Sequence, residues 1–187
     1  EKGVADFVTE VDMRVQEIIK GELERIAPGV QFMGEEKDNG EIDFSGDFWI
    51  LDPVDGTTNL IHDYRQSAVS LALCEAGQVT LGIVYQPYTE ELFLAKKGMG
   101  AWLNGTPIHV SSAKKLEESL VSVGTSPYRK ELAKENFKNF YQIFMRCEDI
   151  RRGGSAAIDL AWVACGRTDA YVERNLKPWD YAAGMLL

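Results

Sequence analysis

Two aspartates, Asp52 and Asp55, leave an apolar stretch at residues 48–51 through Pro53 and Gly56, a placement that suits a hard divalent cation. Such cations take oxygen ligands, and a turn after a strand aims two carboxylates and a freed main-chain carbonyl, here Val54, at one point. Thr57 adds a hydroxyl within the same turn. Taken alone, these residues also make an ordinary polar surface turn, since Asp, Pro and Gly gather at turns for conformational reasons. Four other segments bear on the choice, and each has a plain use of its own. Glu35 and Glu36 serve as a solvated pair, Asp180 after Trp179 as a helix cap, Asp6 and Thr9 as the lead-in to a helix, and Gly153 to Ala156 as a helix start.

The elements that must position these acids are legible in the periodicity. Val11, Val15, Ile18, Ile19, Leu23 and Ile26 fall on one helical face, Thr9 with Asp12 resembles a capping box, and Pro28 with Gly29 stops the helix. Short strands are predicted at 31–33 and 48–51, each delivering acids at its end. Strands at 68–74, 79–85 and 91–95, then short pieces around Trp102 and Ile108, read as an antiparallel meander. After Ser111 the order becomes strand (120–123), helix (130–145), strand (149–151), helix (155–165) and strand (168–172), which is α/β texture. The expected fold is therefore α+β / α/β, an antiparallel meander sheet in the first half and a smaller mixed α/β half. Residues 1–110 are expected as a lobe carrying most metal ligands, and 111–187 as one carrying the substrate-side residues and the last ligand.

Composition narrows the function. In 187 residues, 45% of them hydrophobic, 20 Lys and Arg face 29 Asp and Glu, a net charge of −9. That disfavours direct nucleic-acid binding, which needs a basic face to displace counterions. An acidic protein still binds phosphate when a metal carries the positive charge. Cys74, Cys147 and Cys165 are widely spaced in apolar stretches, which suggests neither a disulfide framework nor a zinc site and points to a reduced, cytoplasmic setting. No segment is apolar enough to predict a membrane span, and residues 1–12 do not resemble a signal peptide.

Together and in this order, Asp6, Glu35 with Glu36, the run Asp52, Pro53, Val54, Asp55, Gly56, Thr57, and Trp179 with Asp180 resemble the inositol monophosphatase family of Mg²⁺-dependent, lithium-sensitive phosphatases. The resemblance covers essentially the whole chain. It implies a layered αβαβα sugar-phosphatase fold and a homodimer. It further implies that Glu35, Asp52 and the Val54 carbonyl hold one Mg²⁺, that Asp52, Asp55 and Asp180 hold a second, and that Glu35 reaches a third. Asp6 and Thr57 match the pair that orients the attacking water, and Glu36 stands behind the ligands. Gly154, Ser155 and Ala156 would offer backbone N–H groups to a small phosphorylated substrate, with Asp55, Gly56 and Thr57 close by. Glu173 matches an acid that binds substrate hydroxyls, and Thr125 is a weaker match to a further contact.

The implied reaction is hydrolysis of myo-inositol monophosphate or a related sugar phosphate by in-line attack of a metal-activated water. Fructose 1,6-bisphosphate is an alternative that Arg174 would assist, although a surface acid is the favoured partner for that arginine. Residues 59–62 argue against a nucleotide 3′-phosphate. His62 and His109 receive no role. A regulatory binding protein that retains the fold is the alternative of another class. Family members usually begin with a further helix, bearing a basic substrate-side residue, and continue beyond the Trp-Asp helix, so the chain is expected to be part of a longer one.

Overall fold

The computed structural model describes residues 10–187. Its large sheet runs β1 (Gln31–Gly34), β2 (Phe48–Asp55), β3 (Ala68–Glu75), β4 (Gln78–Gln86), β5 (Glu91–Lys96), β6 (Gly100–Leu103) and β7 (Thr106–Pro107), in that spatial order. β1 lies parallel to β2, and every later pair is antiparallel. The small sheet, ordered β10 (Ala170–Val172), β8 (Leu120–Val123), β9 (Asp149–Arg151), is parallel throughout. Helices are α1 (Glu10–Ile26), α2 (Thr57–Ile61), α3 (Ala133–Phe144), α4 (Ala156–Ala164) and α5 (Pro178–Tyr181).

Alternation in the strands decides which helix lies where. On β3 the small residues Ala68, Ala72 and Cys74 face α4 and the turn after α5, packing with Ala157, Ile158, Ala161, Ala182 and Ala183. The larger Val69, Leu71 and Leu73 face α1, with Leu23, Phe32, Trp49 and Leu51. Small side chains let the two short helices sit close to the sheet. The closest approach is at Gly82, where a Cβ would come 2.6 Å from the Ala183 carbonyl oxygen. On the small sheet Val121 and Val123 pack with Phe140 of α3, while α4 lies against β10. The layers are α1, large sheet, α4 with α5, small sheet and α3, which is the expected αβαβα arrangement.

Two local expectations are corrected. α1 buries only part of its predicted apolar face: Leu23 is buried and Ile19 packs beside it, but Ile18 is 57% and Ile26 61% exposed, and the polar Asp12 and Gln16 are buried instead. Polar partners turn the helix, because Gln16 donates to the Glu36 carbonyl at 3.0 Å and accepts from its N–H at 3.1 Å. β2 does not end at Leu51 but continues to Asp55, entirely buried. Between Asp52, opposite Ser70, and Asp55, opposite Ala68, it carries one extra residue. In a regular strand residues three apart face opposite sides; this β-bulge brings both aspartates onto the α4 and α5 face.

Candidate functional site

An open cleft of about 770 Å³, its solvent-filled mouth included, is lined by Glu35, Asp52, Val54, Asp55, Gly56 and Thr57 on one side, with Glu173 and Asp180 nearby. Each acid is placed by a different element. Glu35 follows β1 and extends the parallel ladder, its N–H reaching the Leu51 carbonyl at 3.1 Å. Asp52 accepts from the Val54 N–H at 2.9 Å, across the bulge. Asp55 reaches the start of α4, where one oxygen, Oδ2, accepts from the Ser155 hydroxyl and the Ala157 N–H, both at 2.6 Å. Ser155 also caps α4, accepting from the Ile158 N–H at 3.3 Å. Asp180 accepts from the Lys177 N–H at 2.6 Å, so it caps α5 and lines the cleft at once.

Gly56 stands at the crossing of these parts. Its φ of 96° lies in the left-handed region, and a Cβ there would meet the Gln66 carbonyl oxygen at 3.0 Å and that of Gly154 at 3.3 Å. The chain then turns into α2, whose Asn59 side chain donates to the Gln66 carbonyl at 2.6 Å and the Gly153 carbonyl at 3.0 Å. One buried amide thus ties the Asp55 turn to the loop that opens α4.

The electrostatics are those of a site short of positive charge. Burial pushes Glu35 up to about 7, with repulsion from Glu36 and Asp180 adding to it. Burial also raises Asp52 well above the usual carboxylate range, assisted by the charges of Glu35 and Asp55. Asp55 is pushed to about 8 by burial, against the hydrogen bond from Ser155, and Asp180 to about 6 by burial. Lys177 offsets Asp180 in part.

The donor set consists of hard oxygens, four carboxylates and the Val54 carbonyl, with no imidazole or thiolate among them. That chemistry fits Mg²⁺ or Ca²⁺ and not a soft metal. Among the described residues no three such side chains already converge tightly enough to hold an ion, so the acids share a cleft without being closed around one.

Of the expected proton-handling pair, Asp6 and Thr57, only Thr57 lies among the described residues. Thr57 Oγ1 lies 3.1 Å from Asp12 Oδ1 and 3.1 Å from the Val54 carbonyl oxygen. The aspartate that meets Thr57 is therefore Asp12, on the buried face of α1, while Asp6 and Thr9 lie outside the described residues. The signal available was Asp12 itself, a charged residue in helical register with Gln16, which capping explains equally well.

On the substrate side, Gly154, Ala156 and Glu173 line the cleft, and Ser155 is buried behind it. Glu173 accepts from the Ser126 N–H at 2.8 Å and from the Tyr171 hydroxyl. Thr125 does not line the cleft; its hydroxyl accepts from Arg152 at 3.2 Å. Glu36 is held through its backbone by Gln16. Arg174 pairs with the surface acid Glu135 at 2.8 Å. Asp159, also missed by sequence, is a buried acid on α4 that burial pushes to about 7.

The family model described as the inositol monophosphatase family matches residues 1–187. The chain is 42% identical over 189 residues to an inositol-1-monophosphatase of Synechocystis sp., covering 100% of this chain and 66% of that protein. It is 41% identical over 190 residues to the Nus factor SuhB of Xylella fastidiosa, covering 100% and 67%. The crystal structure of the extragenic suppressor protein SuhB of Bartonella henselae superposes with a TM-score of 0.94 at 38% identity, covering 99% of this chain and 71% of that one. The chain thus spans about two thirds of the length of these relatives.

Proposed function

The chain belongs to the inositol monophosphatase family, and from that premise we propose that it is a Mg²⁺-dependent phosphomonoesterase acting on myo-inositol monophosphate or a related sugar phosphate. The observation that carries the reading is a set of four carboxylates lining one cleft, Asp52 and Asp55 buried on β2, Glu35 after β1 and Asp180 on α5 partly buried, each pushed up by its burial. Glu35, Asp52 and the Val54 carbonyl would hold one ion, Asp52, Asp55 and Asp180 a second, with Glu35 available to a third. When bound, Mg²⁺ supplies Lewis-acid neutralisation of phosphoryl oxygens and a more acidic water.

The chain's own residues do the rest. Thr57 Oγ1, between Asp12 and the Val54 carbonyl, holds a proton acceptor beside the point where a water must stand. Asp12 draws the hydroxyl proton and so turns an oxygen lone pair toward that water. Gly154 and Ala156 line the cleft at the start of α4, where the helix dipole favours an anion such as the substrate phosphate. Glu173, fixed by Ser126 and Tyr171, accepts from substrate hydroxyls. No step calls for a covalent phosphoenzyme, and no cysteine is needed.

Phosphate release from myo-inositol 1-phosphate, fructose 1,6-bisphosphate and adenosine 3′,5′-bisphosphate, with Mg²⁺ and with chelator, tests the reading. Mg²⁺-dependent release from the first is the expected result, and no release from any of the three sinks it. The relatives named Nus factor SuhB favour a second reading, a binding role carried on the same fold. A protein partner retained by Asp55→Asn while turnover is lost supports it.

A further inference from the structure

We propose that Gln16 is a positioning residue of the cation site: its side-chain amide fixes the backbone that carries Glu35, and so sets the affinity for the ion that Glu35 helps to hold. This rests on the cation-site part of the phosphatase reading above. Gln16 is 7% exposed, sits on α1 and is not among the residues that line the cleft. Any part it has in the site is carried by the chain it grips.

β1 is the outermost strand of the large sheet, and Glu35 directly follows it. Gln31 and Glu35 point their N–H groups to the β2 side, each reaching a carbonyl there, of Asp47 and Leu51, at 3.1 Å. By alternation Phe32, Gly34 and Glu36 turn their polar groups the other way, where no further strand stands among the described residues. Side chains take the missing strand's place. The Gly34 N–H donates to Asn39 Oδ1 at 3.1 Å, and its carbonyl accepts from Asn39 Nδ2 at 2.8 Å. The Glu36 N–H donates to Gln16 Oε1 at 3.1 Å, and its carbonyl accepts from Gln16 Nε2 at 3.0 Å. Lys37 Nζ donates to the Phe32 carbonyl at 2.8 Å.

Glu35 is therefore pinned on both sides, by Leu51 through its own N–H and by two amides through the residues before and after it. The fit around Gln16 is close, since a Cβ on Gly34 would fall 2.3 Å from Gln16 Oε1 and displace the amide. A carboxylate on a loose segment must be ordered when an ion binds, and that ordering weakens binding; a segment already fixed loses little more. The same loop supplies its own comparison. Gln31 makes an equal two-bond clasp at the other end, donating to the Asp43 carbonyl at 2.9 Å and accepting from the Asp43 N–H at 2.8 Å. Neither Gln31 nor Asp43 lines the cleft. Loss of that clasp loosens the loop without releasing Glu35.

Calorimetric titration with Mg²⁺ and with Ca²⁺ tests the role in the unsubstituted protein, Gln16→Met, Gln16→Asn and Gln31→Met. Gln16→Met removes both bonds to Glu36; Gln16→Asn keeps an amide one methylene too short to make them together. Partners that orient a metal ligand are commonly worth tenfold or more in affinity, so Gln16→Met is expected to weaken binding about tenfold, Gln16→Asn about threefold or more, and Gln31→Met less than about twofold. Loss of folded protein lowers the number of ions bound and not the affinity of those sites that remain, so misfolding and mispositioning are read apart in one titration. An affinity unmoved in both Gln16 variants, or weakened as much by Gln31→Met, overturns the positioning role and leaves the cation site standing. An unsubstituted protein that takes up neither ion overturns the cation site, and this role with it.

Discussion

Replacing Asp55 with Asn is expected to stabilise the metal-free protein while abolishing its response to Mg²⁺. Asp55 carries a folded-state pKa of about 8 against an ordinary 3.8, with burial as the main cause. Below pH 4 the acid is neutral in both states and costs the fold nothing. As pH rises from 4 to 8 the unfolded chain ionises and the folded one resists, so stability is lost across that window and levels off above it. At about 1.4 kcal/mol per pH unit, the loss reaches on the order of 4 kcal/mol at pH 7 for Asp55 alone. For a chain of this length each kcal/mol moves the melting midpoint by roughly 2–4 °C, so the effect is on the order of 10 °C. The hydrogen bonds from Ser155 and Ala157 end on one oxygen, Oδ2, and the Asn carbonyl placed there keeps them. Thermal melts in EDTA should show Asp55→Asn a few degrees above the unsubstituted protein at pH 5 and on the order of 10 °C or more above it at pH 8. Adding Mg²⁺ at pH 8 should raise the unsubstituted protein by several degrees and the variant little, since only the folded state offers the site. A variant that melts lower than the parent at pH 8 in EDTA, or a parent indifferent to Mg²⁺, refutes the account of these acids as a cation site.

Three further outcomes follow from named contacts. Thr57→Ala removes the hydroxyl between Asp12 and the Val54 carbonyl; kcat should fall about a hundredfold with KM nearly unchanged, and a loss confined to KM refutes the proton-handling role. Asp12→Asn should lose a similar factor, the double variant losing little more, as expected of two residues acting as a unit. Gly82→Val forces β4 away from Ala183, whose carbonyl oxygen lies 2.6 Å from the site of a Cβ. A cost of about 2 kcal/mol in urea unfolding is expected, with weaker Mg²⁺ half-saturation because Asp180 sits on the displaced helix; an unchanged urea midpoint removes that contact from the argument.

The acids Glu35, Asp52, Asp55 and Asp180 were legible as a set because residue type and chain order are enough to name them, and the meander was legible because each strand alternates. What joins them was not. Asp52 and Asp55, three apart, point to opposite faces of any regular strand, and only the unpaired residue opposite β3 brings them to one side. Pro53 hinted at a break in pairing but read as the end of the strand, because Pro more often stops a ladder than bulges it.

The first helix shows the same limit from the other direction. The face chosen by apolar periodicity includes Val11, Ile18 and Ile26, which are exposed, as well as Leu23, which is buried together with the polar Asp12 and Gln16. A helix pays for burying Asp and Gln only when each finds partners, and here Gln16 clasps the backbone of Glu36 while Asp12 meets Thr57. Thr57 lines the cleft, and Glu36 follows Glu35, which does. The polar residues on the inner face are therefore the trace of the site in the helix, and the exposed valine and isoleucines outside mark how far the site has turned α1 from the orientation its apolar side chains alone would choose.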